Sequence, residues 1–166
     1  SIASFHPELV TIVTRANAGI AGLDDLRRKR LNTGAIGSGS RTTWGVVEEA
    51  AGWPEADRPV ISELKPDVAL TALCKGQLDA VLLLVGHPSG AVKKALDACD
   101  TRIVPVAGAA VDKLAATMPH MQTGTIPATA YGLPADLPSL GVRAVLVTSA
   151  GTADAAVHAM TKAILA

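Results

Sequence analysis

Asn32-Thr33-Gly34-Ala35-Ile36-Gly37-Ser38-Gly39-Ser40-Arg41-Thr42-Thr43-Trp44 is the stretch whose reading decides the fold. A basic run, Arg27-Arg28-Lys29-Arg30, leads into a short strand at Leu31–Thr33. Three glycines follow within six positions, Gly34 to Gly39, with hydroxyl residues close behind. From Trp44 to Ala51 apolar residues recur at helical spacing. The stretch therefore reads as strand, glycine-rich turn, helix. Glycine lets the chain bend sharply and lets a ligand come close to the main chain. The first turn of a helix leaves N–H groups without internal partners, carrying about half a positive charge through the aligned peptide dipoles. Such a turn holds an anion without any charged side chain.

Outward from that turn, strands and helices alternate. Leu9–Thr14 is rich in β-branched residues and reads as a strand, and Leu23–Leu26 as a helical turn. Gly52 and Pro54 stop the first helix. Pro59–Ser62 reads as a strand, and Pro66–Lys75 as a helix ended by Gly76. Leu78–Val85 is almost unbroken aliphatic, as in a strand covered on both faces. Gly86-His87-Pro88-Ser89-Gly90 is a second glycine turn, followed by a helix over 91–98. Arg102–Val106 is a strand shortened by Pro105. Ala109–Thr117 is a helix, Val142–Thr148 a strand and Thr152–Leu165 a last helix. Pro119–Leu140 carries four prolines and no period, and is expected as an irregular excursion. The alternation predicts an α/β fold, a parallel or mixed sheet with helices on both faces. Ligands of such sheets sit outside the carboxyl ends of the strands, so both glycine turns are expected on one rim.

Composition narrows the function. The 166 residues carry no net formal charge, and about half are apolar (49%). A nucleic-acid footprint would need a clustered basic excess. Arg27–Arg30 is too short for one and reads as a solvated helix end. The four aromatics, Phe5, Trp44, Trp53 and Tyr131, make no base-stacking platform. No apolar run reaches the ~20 residues of a membrane helix, and Ser1–Leu9 has no signal-peptide pattern. Cys74 and Cys99 allow one disulfide or two free thiols, and no cysteine or histidine stands at zinc-finger spacing. Neither a metal nor a cofactor is expected.

Gly37–Trp44 divides between two readings. One is a carboxylate cradle built of backbone N–H groups and hydroxyls, with Arg41 as counter-charge and Trp44 as a wall. The other is a tight strand-to-helix turn with Ser38 or Ser40 as cap and Arg41 in solvent. A phosphate loop lacks its lysine and a dinucleotide fingerprint lacks its glycine spacing. His87 is either a ligand contact in a rim turn or a histidine hydrogen-bonded to nearby backbone. A small serine hydrolase using Ser40 or Ser89 with His87 is the enzyme alternative. Gly86-x-x-Ser89-Gly90, however, has one residue too many for a nucleophile elbow.

Taken in order, Gly37-Ser38-Gly39-Ser40-Arg41-Thr42-Thr43-Trp44, Ser62-Glu63-Leu64-Lys65-Pro66, Leu73-Cys74-Lys75-Gly76-Gln77-Leu78-Asp79-Ala80 and Val85-Gly86-His87-Pro88-Ser89-Gly90-Ala91 resemble the TAXI-type solute-binding proteins of TRAP transporters. His6-Pro7-Glu8 and Ile126-Pro127 with Tyr131 also fit, so the resemblance spans nearly the whole chain. Each motif alone is weak; the ordered set is specific. Ser40 stands where that family has threonine, which keeps the hydroxyl.

The resemblance implies a two-lobed periplasmic binding protein of type II fold that takes small organic anions or amino acids, glutamate-like ones first. It would deliver them to sodium-coupled membrane subunits. Residues 15–103 would form the second lobe. Residues 1–14 and 104–166 would supply the crossover strands and the C-terminal part of the first lobe, whose N-terminal part is absent. An incomplete two-lobe fold of this kind exposes sheet edges, and self-association is expected. Ligand contacts would come from Gly37, Ser38, Gly39, Ser40, Arg41, Thr42, Thr43 and Trp44, from Gly86, His87 and Pro88, and from Tyr131. The implied periplasmic setting favours a Cys74–Cys99 disulfide.

Overall fold

The computed structural model describes residues 2–165. Seven strands and five α-helices follow in the order β1 (Ala3–Arg15), β2 (Arg30–Asn32), α1 (Gly39–Ala51), β3 (Val60–Ser62), α2 (Pro66–Cys74), β4 (Ala80–Val85), α3 (Gly90–Ala98), β5 (Thr101–Val104), α4 (Ala109–Thr117), β6 (Gln122–Ile126), β7 (Leu137–Leu146) and α5 (Asp154–Leu165). They form one mixed sheet of order β3-β2-β4-β1-β7-β6, with β5 also on β1. The β2–β3 and β2–β4 pairs are parallel. The β1 pairs with β4, β5 and β7 are antiparallel, as is β6–β7.

β1 holds the sheet together because it is long enough to serve both halves. Its first part lies along β7, from Ala3 opposite Leu146 to Leu9 opposite Gly141. Its last part takes β4 on one side, from Leu9 opposite Val85 to Thr14 opposite Ala80, and β5 on the other. Only Leu9–Thr14 was legible as strand in the sequence. The earlier residues include Pro7, which has no N–H to give a ladder, and the register shifts between Ser4 and Pro7. An irregularity of this kind is where a strand tolerates proline.

Side-chain alternation along β1 and β4 feeds two cores. Val10, Ile12, Ala80 and Leu82 face a core completed by Trp44 and Val47 of α1 and by Val111 and Leu114 of α4. Leu9, Val13, Val81 and Leu83 face a second core with Ala69 and Leu73 of α2 and Val92 and Ala95 of α3. A strand apolar on both faces needs helices on both faces, and α1 and α4 lie on the side opposite α2 and α3.

Two expectations need correcting and one needs refining. Pro119–Leu140 is not wholly irregular: β6 and the start of β7 form a hairpin within it. β6 is an edge strand with only Ile126 buried, so no alternation betrays it; hydrogen bonding to β7 makes it a strand. The Arg27–Arg30 run does follow a helical turn, Leu23–Leu26, and Arg27 and Arg28 are exposed, but each of its side chains has a partner. Arg27 stacks over Trp53, Arg28 pairs with Asp57, Lys29 Nζ donates to Ala18 O at 2.9 Å, and Arg30 binds Asp79. Trp44 is no pocket wall. It is fully buried, 6.1 Å from Trp53 between ring centroids.

Asp79, at the start of β4, gathers the sheet at the end away from the glycine turns. It accepts from Arg30 Nη2 at 2.7 Å, Arg30 Nε at 3.0 Å, the Arg30 N–H at 3.0 Å and Arg15 Nη2 at 2.8 Å. The Arg30 hydrogen bonds, against the cost of burial, hold this carboxyl well below the usual carboxylate range.

The Cys74–Cys99 disulfide forms, tying the C-terminal ends of α2 and α3 across 25 residues with Cα atoms 5.7 Å apart. Closing a loop of that size in the unfolded chain stabilises the fold by about 3 kcal/mol. Reduction under native conditions is therefore expected to lower the urea midpoint with α2 and α3 unravelling first. An unchanged midpoint, with both thiols shown free by mass, would contradict this.

Candidate functional site

Both glycine turns lie at the carboxyl ends of parallel strands, β2 and β4, and both open helices. They meet: Leu84 N–H of β4 donates to Ser40 Oγ of α1 at 2.9 Å. A β-carbon at Gly39 would stand 3.4 Å from the Leu84 side chain. The first turn of α1 thus rests on the end of β4, as one-rim placement requires.

At α1 the cap is Ser38, whose Oγ accepts from the Arg41 N–H at 3.2 Å. Thr42 N–H and Thr42 Oγ1 both donate to Ser38 O. The N–H groups of Gly39 and Ser40 have no protein acceptor among the described residues, and Gly39 is exposed. The turn is therefore both a capped helix start and an open pair of amide donors. Gly37 takes a left-handed φ of +80°. Gly34 (φ +92°) is needed twice over, since a β-carbon there would stand 2.8 Å from Ser38 Oγ. Thr43 and Trp44, the last residues of the quoted stretch, point into the core. Ile36, at the tip of the loop, is 82% exposed.

Arg41 is not free on the rim. Its Nε donates to Glu63 Oε1 at 2.8 Å, with the two side chains 34% and 35% exposed. The Glu63 carboxylate compensates a cation placed at the positive end of a helix. An ion pair this accessible contributes about 0.2–1 kcal/mol. Glu63 is placed by its neighbour. Asn32, buried at the end of β2, accepts from Leu64 N–H at 2.7 Å and donates to Leu64 O at 3.3 Å. Twenty-two residues separate Arg41 from Glu63, and spacing gave no sign of the pair.

The second turn is built differently. His87 Nε2 lies 2.9 Å from Thr11 Oγ1, His87 Nδ1 lies 2.7 Å from the Tyr131 hydroxyl, and Ser89 N–H donates to that hydroxyl at 2.7 Å. Thr11 Oγ1 also donates to Leu9 O at 3.1 Å. One proton arrangement satisfies the whole chain. Thr11 spends its hydrogen on Leu9 O, so it accepts from His87 Nε2–H. Nδ1 then accepts from the Tyr131 O–H, and the phenol oxygen accepts from Ser89 N–H. The His87–Pro88 peptide is cis. Tyr131, 44 residues beyond His87, closes onto the start of α3 rather than standing free. Gly86 also accommodates His6, whose ring would come within 2.6 Å of a β-carbon there. Of the two helix starts on the rim, α3 has a phenol on its cap residue; the first two amides of each helix, Gly39 and Ser40 in α1 and Gly90 and Ala91 in α3, have no protein acceptor among the described residues.

The serine–histidine alternative finds no support here. Ser40 Oγ accepts from Leu84 N–H, Ser89 Oγ accepts from Val92 N–H at 3.5 Å, and both His87 nitrogens are engaged elsewhere.

Burial lowers the His87 pKa from its ordinary value, and burial raises that of Tyr131 against the opposing Ser89 hydrogen bond. A lowered folded value means the unfolded chain takes up the proton first. The His87 contribution to stability is thus complete above about pH 6.5 and declines as pH falls below it. Tyr131→Phe removes the donor to Nδ1 and is expected to shrink that decline, read as urea midpoint against pH from 8 to 5. Parallel curves for parent and variant would contradict the proton arrangement.

The mixed sheet clothed by helices on both faces, with helix starts gathered at one rim, matches the fold of type II periplasmic binding proteins. The chain belongs to the NMT1-like family, whose model matches residues 1–166. Solved structures agree on the fold. The substrate binding protein of an amino acid ABC transporter is 14% identical, with TM-score 0.50 over 96% of this chain and 53% of that one. The periplasmic aliphatic sulphonate binding protein SsuA from Escherichia coli is 16% identical, with TM-score 0.50 over 97% and 42%. An ancestral arginine-binding protein bound to glutamine is 16% identical, with TM-score 0.52 over 97% and 53%. The chain thus spans about half the length of these structures.

Proposed function

We propose that this chain is the ligand-holding part of an extracytoplasmic, periplasmic solute-binding protein. It captures a small organic anion or amino acid, glutamate-like in the leading case, for the membrane subunits of a TRAP transporter of the TAXI type. One observation carries the reading: the Gly39 and Ser40 amides are open, at the positive end of a 13-residue helix, on the rim where strands β2 and β4 end. Fold neighbours that include an amino acid ABC transporter's substrate binding protein and an aliphatic sulphonate binding protein fit a small anionic ligand.

Residues 15–103 act as one lobe. Residues 1–14 and 104–166 act as the crossover and part of the other, with closure about β1 and the Val104–Val106 segment. Val106 N–H already reaches across to Pro138 O at 2.9 Å. The Gly37–Thr42 turn receives the carboxylate, and Gly86, His87, Pro88 and Tyr131 form the facing wall. Calorimetric titration with glutamate, glutamine, glutarate and alkyl sulphonates tests this. At least one acid is expected to bind at sub-millimolar Kd, and silence across the panel would sink the reading.

α5 contributes no buried residue, and Val145, Val147 and Leu165 are exposed. Self-association follows from such a surface. Light scattering is expected to give a particle larger than one chain, and a strict monomer at 100 μM, on the order of a concentrated sample, would contradict it.

A further inference from the structure

We propose that α2 is a dimerisation surface, and that what covers it is α2 of a second copy of this chain, packed antiparallel across a two-fold axis at Thr71. The inference goes beyond the solute-binding reading and stands on different residues.

One side of α2 enters the core through Ala69, Leu70, Ala72 and Leu73. The opposite side carries Asp67, Thr71 and Lys75 at a spacing of four, all exposed, with Val68 beside them. Val68 is 54% exposed, and Leu64, four positions before it, is 36% exposed. An apolar pair at helical spacing on the solvent side of a helix is a contact for a second helix. Grooves flank this ridge on both sides. The one toward α3 runs over Leu70, Cys74, Ala95 and Ala98 and encloses about 210 Å³; the other runs over Leu64, Val68 and Ala72. A ridge between two grooves packs onto a like surface, ridge into groove, with helix axes about 8–10 Å apart. The Cys74–Cys99 disulfide ties α2 to α3, so the first groove keeps its width.

Charge identifies the occupant. Asp67 stands in the first turn of α2 and Lys75 at its C-terminal cap, about 12 Å apart along the axis. Neither side chain has an ion-pair partner among the described residues. Parallel packing of two such helices would set like charge on like. Antiparallel packing sets each Asp67 beside the partner's Lys75, and the two-fold axis makes the contact twice.

Thr71, midway between the two charges, is suited to the crossing point. Its side chain is short, and its hydroxyl donates to Asp67 O at 2.9 Å. Covering it therefore leaves no polar group without a partner. Helices of nine residues, as α2 and α3 are, cover a face at the low end of specific interfaces, below about 1,200 Å² in total. The dimer is accordingly weak, with Kd on the order of 10 μM.

Sedimentation velocity of the intact chain from about 1 to 200 μM tests the proposal, with urea midpoints to show that each variant is folded. The parent is expected to pass from one copy to two across that range. Asp67→Lys and Lys75→Glu, each alone, set like charges together at both contacts and are expected to weaken dimerisation about tenfold or more. Mixed in equal amounts, these two variants are expected to pair with each other at the parent's affinity, because opposite charges then meet at both contacts. Val68→Lys is expected to leave a monomer. A mixture that stays dissociated, single variants that associate like the parent, or a parent monomeric at every concentration would overturn the interface. Association lost only on Val145→Lys with Leu165→Lys would do so as well, moving the contact to the α5 end. None of these outcomes bears on the solute-binding reading, which the acid titration reads separately.

Discussion

Gly141→Ala is expected to cost about 3 kcal/mol or more and to loosen β7 from β1. Gly141 sits opposite Leu9 where β1 passes from β7 to β4. A β-carbon there would stand 2.0 Å from Glu8 O and 2.8 Å from both Glu8 C and Leu9 Cα. All three obstacles are main chain, so no side-chain rotation relieves them. Overpacking against side chains typically costs 1–3 kcal/mol, and backbone obstacles belong at or beyond the upper end. Separating the strands to make room would break the pairing that ties the β6–β7 hairpin to the rest of the sheet. Tyr131, which lies between those two strands in sequence, would lose its seat on His87. Urea unfolding is the measurement. Gly45→Ala in α1, where a β-carbon meets nothing within 4 Å, is the matched control and is expected to stabilise by about 0.5–1 kcal/mol. Equal midpoints for Gly141→Ala and the parent would mean that the β1–β7 register is wrong.

Gly39→Asp separates binding from stability. Gly39 is the first residue of α1, and its N–H is one of the two open donors. An aspartate there places a negative charge at the positive end of the helix, which favours folding by about 0.3–1 kcal/mol. The side chain enters at an ordinary contact distance, 3.4 Å from Leu84. The same charge stands where the ligand carboxylate has to sit, and like charges brought together cost several kcal/mol. The expected result is a midpoint equal to or above that of the parent, with affinity for any carboxylate ligand reduced at least about a hundredfold. Undiminished affinity in a folded Gly39→Asp variant would place the ligand elsewhere.

The sequence showed the alternation of strands and helices because the signals are local. The aliphatic run Leu78–Val85, the stop at Gly52 (φ +63°) and the proline opening α2 all act within a few residues of themselves. The glycine turn was legible for the same reason, and Ser38 as its cap was one of the two readings weighed. What stayed hidden depends on residues far apart. β6 has one buried residue, so its strand character comes from β7 alone. Trp44 follows the glycine turn so closely that chain proximity suggested a pocket wall. The helical period, however, turns it beneath α1 onto Trp53. Glu63, Thr11 and the proton chain through His87 are cross-element contacts with no spacing rule. Asp79 did leave a trace. An acid opening a strand as apolar as Ala80–Val85 needs a cation, and Arg30 and Arg15 supply it.

Amide chemical-shift mapping during a glutamate titration bears most directly on the central claim, because it reads the donors themselves. The account predicts that the Gly39 and Ser40 amides move first and furthest, with Arg41 and Glu63 following and the Cys74–Cys99 end of the sheet unmoved. Saturable shifts confined to other residues, with Gly39 and Ser40 unchanged, would contradict it.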